Sequence, residues 1–375
     1  MSELWPIFIV SMVLMALSER NSIIRVDRFG RREYIRREWF FYGIMMVVMA
    51  VFVGLRKGYN DTYTYRQGYE AINTARHFWE GINWKLSGSV GFEISQRILK
   101  YAGFSAQSFI MFFSLVDVGI SLWFLGKYSK YRWLSVFFYF AMGCYTFNMA
   151  AIMQCTAAAL SLVATDRAMQ RKWGSFLIWI LLAVSFHTYS VMYILVPILM
   201  FNPWTKKTYW MVAIFLVAGL ALESMIGVIV DITTMMGEGY TVESFTEAGV
   251  NIFRMLVVWV PVVLSFFARK LMAENNDRTT NVMMNLAMLN AEIMFVALFG
   301  TANYFARLAN YFLVFQAISL PWLFEFYNER SKRLLIIGSI ACYFAYFYYS
   351  NAILYGGFDA LFSKVRLWDY VVSLF

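Results

Sequence analysis

The chain has 375 residues, of which 61% are hydrophobic, 19% aromatic and 15% charged, with a formal net charge of +9 and a mean hydropathy of +0.57. A soluble domain carries about 25% charged residues, so this composition excludes a water-soluble globular protein. Three cysteines and two histidines show no metal spacing or disulfide framework, and we expect neither a metal nor a cofactor. The basic surplus is assigned to membrane topology rather than to nucleic acid.

Apolar runs of near 20 residues follow one another along the whole chain and predict a single membrane domain over 1–375. The N-terminus lacks the positive region of a signal peptide, so the first run is predicted to be retained. We predict about twelve transmembrane helices: 4–17, 38–55, 104–125, 132–146, 149–165, 174–187, 189–201, 208–230, 252–270, 281–299, 305–326 and 333–350.

Basic residues concentrate in alternate loops. The first loop alone holds seven arginines, namely Arg20, Arg25, Arg28, Arg31, Arg32, Arg36 and Arg37. Lysines or arginines recur in the loops around 127–132, 167–172, 206–207, 269–278 and 330–333. The positive-inside rule makes these loops cytoplasmic and places both termini outside.

Two outside loops stand out. Residues 231–250 form an acidic loop that contains Asp231, Glu238, Glu243 and Glu247. Residues 56–103 form a long extracytoplasmic segment in which we expect short helices on the membrane surface. The C-terminal stretch 358–375 is predicted to lie along the interface as an amphipathic helix.

Unusual polar residues fall mostly on the predicted outer side, where several flanking spans are short. Fifteen helical residues rise about 22 Å, less than the roughly 30 Å of a hydrocarbon core. Short spans with polar outer ends predict an outward-facing cavity. Its candidate residues are Arg56, Asp61, Glu93, Arg97, Asn148, Gln154, His187, Arg254, Arg307 and Asn310.

Arg307 is the most informative of these. An arginine within a span costs roughly 2.5–3.5 kcal/mol, so it normally has a partner or a water-filled cavity. Its planar fork suits a phosphate or pyrophosphate, and the alternative is snorkelling to lipid headgroups. Asn310, one turn further on, favours a polar pocket. Arg254 fits either an anion site or an interfacial anchor.

Three other polar features have two interpretations each. Asp61 follows a Gly58–Asn60 turn, where it either caps the next helix or lines the cavity as a base or sugar ligand. His187 interrupts an apolar run, where it is either an acid–base group or a bridge between helices. Asp117, Glu223 and Glu292 lie within spans, which keeps a proton-coupled transporter open.

Five short motifs, in this order, resemble the EpsG family: Arg56-x-Gly58-x-x-Asp61-x-x-x-Tyr65, Gly91-Phe-Glu93, Gln154-x-x-Ala157, Phe186-His187 and Arg307-x-x-Asn310-Tyr-Phe. The resemblance spans nearly the whole chain. That family comprises Wzy-type polymerases of bacterial exopolysaccharide, capsule and O-antigen. One departure is Met153, where the family often has arginine. That arginine's role is absent here or is supplied by Arg254, Arg97 or Arg56.

The resemblance implies a glycosyltransferase at the outer face of the bacterial cytoplasmic membrane. Its donor would be an oligosaccharide on undecaprenyl pyrophosphate and its acceptor another lipid-linked repeat unit. A chain-length regulator and a flippase are implied partners. The diphosphate and glycan would be bound by Arg307 first, with Asn310, Arg254, Arg56, Arg97, Gln154 and Tyr65. Asp61, Glu93 or His187 would take the acceptor proton.

The expected fold is therefore an all-α polytopic membrane protein of GT-C-like type with an outward-facing cavity. Three alternative functions stay open. A flippase or other transporter would place charges along a path through the membrane. An O-antigen ligase would use the same leaving group, and a membrane sugar acyltransferase would use similar outward histidine and arginine residues.

Overall fold

The computed structural model describes residues 3–26, 32–84, 89–235, 241–245, 249–275, 277–300, 302–354 and 358–360. Within these ranges the regular secondary structure is helical apart from one short hairpin, and turns and loops connect the helices. The predicted interfacial helix at 358–375 lies outside the described residues except for 358–360. Arg28, Arg31, Glu238 and Glu247 also lie outside them.

The arginine-rich first loop is a β-hairpin, an exception to the all-α prediction. It follows α1 (Leu4–Asn21) and consists of β1 (Ile23–Val26) and β2 (Arg32–Arg36). The strands are antiparallel and pair Val26 with Arg32. Arg32 anchors the hairpin to the helices: its guanidinium forms an ion pair with Glu19 at 3.0 Å, and its backbone N–H donates to Glu325 Oε1 at 2.9 Å.

The first half of the bundle is built around a long, largely buried helix, α5. Helices α2 and α8 pack against α5, and α9 packs against α8. The helices after the hairpin are α2 (Phe40–Gly54), α3 (Thr62–Glu70), α4 (Val90–Tyr101), α5 (Ala106–Tyr128), α6 (Arg132–Ala141), α7 (Cys144–Ala150), α8 (Ile152–Met169) and α9 (Trp173–Phe186).

The second half is centred on α15, which contacts α10, α13, α16 and α17. A 3₁₀ helix, Thr188–Leu199, leads into this half. The helices are α10 (Lys206–Leu220), α11 (Leu222–Met235), α12 (Val242–Phe245), α13 (Ile252–Phe267), α14 (Arg269–Ala273), α15 (Arg278–Val296), α16 (Ala302–Asn310), α17 (Leu313–Leu323) and α18 (Glu329–Tyr348).

Fewer helices than predicted are long enough to cross a bilayer. Among the described residues, length and composition identify three: Leu4–Asn21, Ala106–Tyr128 and Glu329–Ile353. A fourth is counted if Lys206–Leu220 and Leu222–Met235, bent by 95°, form one span. The count of twelve is therefore not supported, and the predicted single span 208–230 is bent. The GT-C-like architecture stays a prediction.

The other predicted spans correspond to shorter or broken helices, and local chemistry explains several of the breaks. The predicted span 132–146 is divided at Gly143, which adopts φ +86°. The predicted span 305–326 is divided after Asn310. There the Tyr311 carbonyl accepts from the Tyr193 hydroxyl at 2.5 Å, so a side chain replaces a helical donor.

Buried carboxamides hold these broken helices together. Gln107 donates to the Gly54 carbonyl at 2.6 Å, at the end of α2. Asn285 donates to the Leu199 and Phe201 carbonyls at 2.8 Å, and Asn290 donates to the Ala309 carbonyl at 2.6 Å. Such bonds satisfy carbonyls that helix ends leave free in a low-dielectric interior.

Candidate functional site

Polar side chains from separate helices meet at the end of the bundle that carries residues 56–103. We call this the polar cluster. It combines the turn before α3, the start of α8, the α9–3₁₀ junction, the start of α13 and the end of α16. Its members are Tyr59, Asp61, Tyr65, Gln154, His187, Arg254, Arg307, Asn310 and Tyr311.

Arg307 lies in the last turn of α16 and is exposed. Its backbone carbonyl accepts a hydrogen bond from Gln154 Nε2 at 2.5 Å, which fixes α16 against α8. The charge of Arg307 acts on both Tyr65 and His187, so the guanidinium lies near both α3 and the α9–3₁₀ junction. It forms no hydrogen bond or ion pair with any other described residue, which leaves its donors for a ligand.

Arg254 and Asn310 form the second basic element of the cluster. Arg254 Nη2 donates to Asn310 Oδ1 at 2.8 Å and thereby joins α13 to α16. The charge of Arg254 also acts on Tyr59. Asn310 accepts one hydrogen bond from Arg254 and carries no charge. The guanidinium of Arg254 therefore keeps its positive charge and has further N–H donors. Two arginines therefore flank this end of α16.

His187 is oriented by a tyrosine that the sequence analysis did not single out. The Tyr311 hydroxyl and His187 Nδ1 lie 2.8 Å apart. When Tyr311 donates to Nδ1, the hydrogen of the neutral imidazole resides on Nε2, which is then a hydrogen-bond donor. In the sequence, Tyr311 could have been noticed because it directly follows Asn310 in the motif Arg307-x-x-Asn310-Tyr-Phe.

Asp61 occupies the N-cap position of α3, yet its carboxylate makes no capping hydrogen bond. The two residues before it, Tyr59 and Asn60, have φ values of +90° and +42°. For residues other than glycine, such conformations cost about 1–3 kcal/mol each and often occur at functional sites. Asp61 acts electrostatically on Tyr65 and Cys155, so its carboxylate faces the cluster.

Tyr65 connects Asp61 with Arg307. Burial, and then the negative charge of Asp61, raise the pKa of Tyr65, so its phenol stays protonated at neutral pH. Its hydroxyl lies beside the backbone of Met153. The residue that replaces the family's arginine is therefore at the cluster, although its own side chain brings no charge there.

Three predicted site residues lie elsewhere. Arg56 is 1% exposed, and its guanidinium donates to Thr62 Oγ1 at 3.1 Å, Ser114 Oγ at 2.9 Å and the Val53 carbonyl at 2.8 Å. Arg97 donates to the Phe78 carbonyl at 2.6 Å and braces the surface segment 71–84. Glu93 lines a separate cleft. Both arginines therefore fix the fold around the cluster.

The acidic residues within predicted spans do not share a location. Asp117 and Glu292 are each 1% exposed, whereas Glu223 is exposed. Asp117 lies close enough to Arg56 for their charges to interact. Glu292 has no hydrogen-bond partner among the described residues. These positions do not outline one continuous charged path.

A small cavity of about 30 Å³ lies directly against the cluster. A cavity needs about 10–15 Å³ to hold one water molecule, so this one has room for about two. Its lining includes Asn148, Cys155, Asn310 and Tyr311. Asn148 donates to the Tyr139 hydroxyl and to the Cys144 carbonyl, at 2.6 and 2.9 Å, and so shapes the cavity wall.

The cluster combines an anion site with a carboxylate. Two guanidinium groups and an imidazole favour a polyanionic ligand such as a diphosphate, whereas Asp61 lies across Tyr65 from Arg307. No group of three or more metal-ligating side chains occurs within the described part of the chain. The chemistry that these groups offer is transfer of a moiety from an anionic leaving group to a hydroxyl.

Apolar helices around a polar cluster at one end of the bundle fit an integral membrane protein. A family model described as the EpsG family matches residues 39–358. The chain belongs to this family, which is associated with Wzy-type polymerases, and it is a membrane protein of polysaccharide biosynthesis with a lipid-linked polysaccharide substrate. No curated protein and no solved structure matches it.

Proposed function

We propose that this chain is a glycosyltransferase that polymerises oligosaccharide repeat units carried on undecaprenyl pyrophosphate. The observation that carries the proposal is the convergence of Arg307, Arg254 and His187 around one end of α16, with Asp61 across Tyr65. The donor sugar already has an activated leaving group, so the reaction needs no nucleotide.

The donor's diphosphate is bound by the arginines. Arg307 contacts it first because its guanidinium has no partner among the described residues, and Arg254 approaches from α13. Donors placed where negative charge develops in the transition state are typically worth 10²–10³-fold in rate each. His187, oriented by Tyr311, donates from Nε2 to the same group. Gln154 and Asn310 position the two arginines.

The acceptor sugar enters on the Asp61 side. Its hydroxyl oxygen attacks C1 of the donor sugar while the bond from C1 to the diphosphate oxygen breaks. The electron pair of that bond leaves with the diphosphate, and the hydroxyl proton passes to the Asp61 carboxylate. Attack opposite the leaving group inverts the configuration at C1. Arg56 and Arg97 act by fixing α3 and the adjacent surface segment.

The proposal also fixes the orientation. The 56–103 end faces the outside of the bacterial cytoplasmic membrane, where lipid-linked repeat units are available, and both termini lie on that side. The shorter apolar helices enter or cross the bilayer together with the three long ones. The basic loops at the opposite end face the cytoplasm.

The deciding experiment uses the purified full-length chain in detergent with one lipid-linked repeat unit and no nucleotide sugar. Product length is followed on a gel for the wild type and for Arg307→Ala. Arg76→Ala is the matched control, because Arg76 is an exposed arginine on the 71–84 segment with a 3.8 Å ion pair to Glu80. A ladder that Arg76→Ala retains and Arg307→Ala loses would support the proposal.

Other outcomes point to the other functions. Unchanged substrate with a folded wild-type protein would overturn the polymerase. Transport of the lipid-linked unit across vesicles would then favour a flippase, and transfer of finished polysaccharide to another acceptor would favour a ligase. Acyl transfer to the sugars would favour an acyltransferase.

A further inference from the structure

A second, larger cleft lies beside the polar cluster, and the reaction proposed above gives it no role. Its volume is about 430 Å³, within the 300–1,000 Å³ range of small-molecule sites. Helices α3 and α4 form its walls. The lining residues are Thr64, Tyr65, Gly68, Asn83, Ser89, Phe92, Glu93, Gln96 and Met153.

The cleft's lining is polar without being basic. Hydroxyl, amide and carboxylate groups come from Thr64, Gln96 and Glu93, and no lysine or arginine is among its described lining residues. Glu93 Oε2 accepts the Asn83 backbone N–H at 3.1 Å, which fixes the carboxylate and leaves it further acceptor capacity. These groups therefore favour a ligand that donates hydrogen bonds.

The cleft is also lined by aromatic side chains. Tyr65 packs edge-on against the buried Phe92, with ring centroids 5.6 Å apart, so the ring of Tyr65 is held in place. An aromatic ring beside several hydrogen-bond acceptors matches a ligand with both apolar C–H faces and hydroxyl groups. Sugars have this combination, whereas a lipid chain lacks the hydroxyls.

The cleft and the polar cluster share a wall. Tyr65 lines the cleft and also interacts with Asp61 and Arg307, and Met153 immediately precedes Gln154. A chain of sugars bound in the cleft therefore ends next to the proposed base and diphosphate site. Met153 also lines the cleft.

We propose that this cleft is a carbohydrate subsite that binds the sugar residues adjoining the bond that is made. The inference rests on the proposed polymerase function and extends it. Glu93 acts here in binding sugar hydroxyls, and Asp61 takes the proton. The sugars belong either to the acceptor or to the donor, and the experiment below separates the two.

Gly68 allows the cleft to be filled without disturbing the fold. A Cβ added at Gly68 meets no atom within 4 Å, and the residue lies inside α3, where leucine is a better helix former than glycine. Gly68→Leu therefore places a side chain in the cleft. Gln67→Leu is the matched control, because Gln67 is the preceding residue of the same helix, is exposed and does not line the cleft.

The probe is one repeat unit released from its lipid by mild acid and labelled at its reducing end. Lacking the diphosphate, it serves only as an acceptor. Its binding to the purified full-length protein is measured first, for the wild type, Gly68→Leu, Gln67→Leu and Arg307→Ala. Transfer from unlabelled lipid-linked donor follows, with the half-saturating concentrations of donor and acceptor measured separately.

We expect Gly68→Leu to raise the acceptor's dissociation constant and half-saturating concentration at least tenfold. Glu93→Gln is expected to raise the same two constants. Arg307→Ala is expected to bind the probe normally but to transfer no sugar to it. If only the half-saturating concentration of the donor rises in Gly68→Leu, the cleft binds donor sugars. Equal binding and equal kinetics in Gly68→Leu and Gln67→Leu would overturn the subsite. A wild type that binds the probe but makes no ladder would instead overturn the polymerase.

Discussion

Arg254 Nη2 and Asn310 Oδ1 lie 2.8 Å apart, although the two residues are 56 positions apart in the chain. This hydrogen bond joins the start of α13 to the end of α16, three residues from Arg307. The uncharged amide holds Arg254 in place without neutralising it. A carboxylate at the same position would pair with the guanidinium and compete with an anionic substrate.

The pair predicts an order of effects among variants at 310. Asn310→Ala frees Arg254 and is expected to reduce the polymerisation rate about tenfold, whereas Asn310→Asp reduces it about 10²-fold or more because it cancels the charge at the anion site. Initial rates on a lipid-linked repeat unit measure both. Asn202→Ala is the control, since it removes an amide that bonds the Ala273 carbonyl in another part of the fold. Equal rates for the Ala and Asp variants would contradict the proposed anion site.

Asp61→Asn tests the proposed base. The substitution keeps the shape of the side chain, and no capping hydrogen bond is lost because Asp61 makes none. We expect the rate to fall about 10²–10⁴-fold, the usual contribution of a general base, with the thermal unfolding midpoint nearly unchanged. Glu70→Gln, an exposed carboxylate on the same helix, should leave the rate unchanged. A fall of less than about threefold in Asp61→Asn would assign the proton to another acceptor.

Tyr311→Phe tests the orientation of His187. The ring is kept and the hydrogen bond to His187 is lost; a bond of about 0.5–1.5 kcal/mol corresponds to about a 2- to 13-fold loss of rate. In a His187→Gln background the same change should have almost no further effect, since the group that Tyr311 orients is already gone. Tyr343→Phe is the control, because that buried hydroxyl bonds the Val257 carbonyl at 2.7 Å. Fully additive losses at 187 and 311 would show that Tyr311 does not act through His187.

The orientation of the chain is tested by cysteine labelling in intact cells. Gln67→Cys on α3 should react with a membrane-impermeant maleimide from outside, whereas Arg25→Cys on the hairpin should react only after permeabilisation. Cys342 is replaced by serine in both, because it is exposed, while Cys144 and Cys155 are buried. The reverse pattern would invert the proposed topology and place the polar cluster in the cytoplasm.

The helix breaks could not be predicted from hydropathy. Residues 305–326 are mostly apolar and predict one span, yet α16 ends at Asn310, next to the point where Tyr193 donates to the carbonyl of Tyr311, 118 residues further along the chain. The bend between α10 and α11 is similarly invisible in an apolar run. Hydropathy averaged over neighbouring residues measures how apolar a segment is. It carries no information about a distant side chain that bonds the backbone where a helix ends.

The roles of individual charges depend equally on distant partners. Arg56 and Arg307 look alike in sequence, as single arginines beside apolar runs. Arg56 is buried because Ser114, 58 residues further along the chain, provides an acceptor for it together with Thr62 and Val53. Arg307 finds no such acceptor among the described residues and stays exposed.

Composition and motif order alone identify a helical membrane protein of the EpsG family. Apolar composition and the order of the short motifs are properties of the linear chain and do not depend on how it folds. The folded chain was needed to show that Tyr311 bonds His187, that Arg254 bonds Asn310, and that Glu93 lines a cleft that does not include Asp61. Those relationships depend on side chains brought together by packing, and a linear pattern carries no distances between helices.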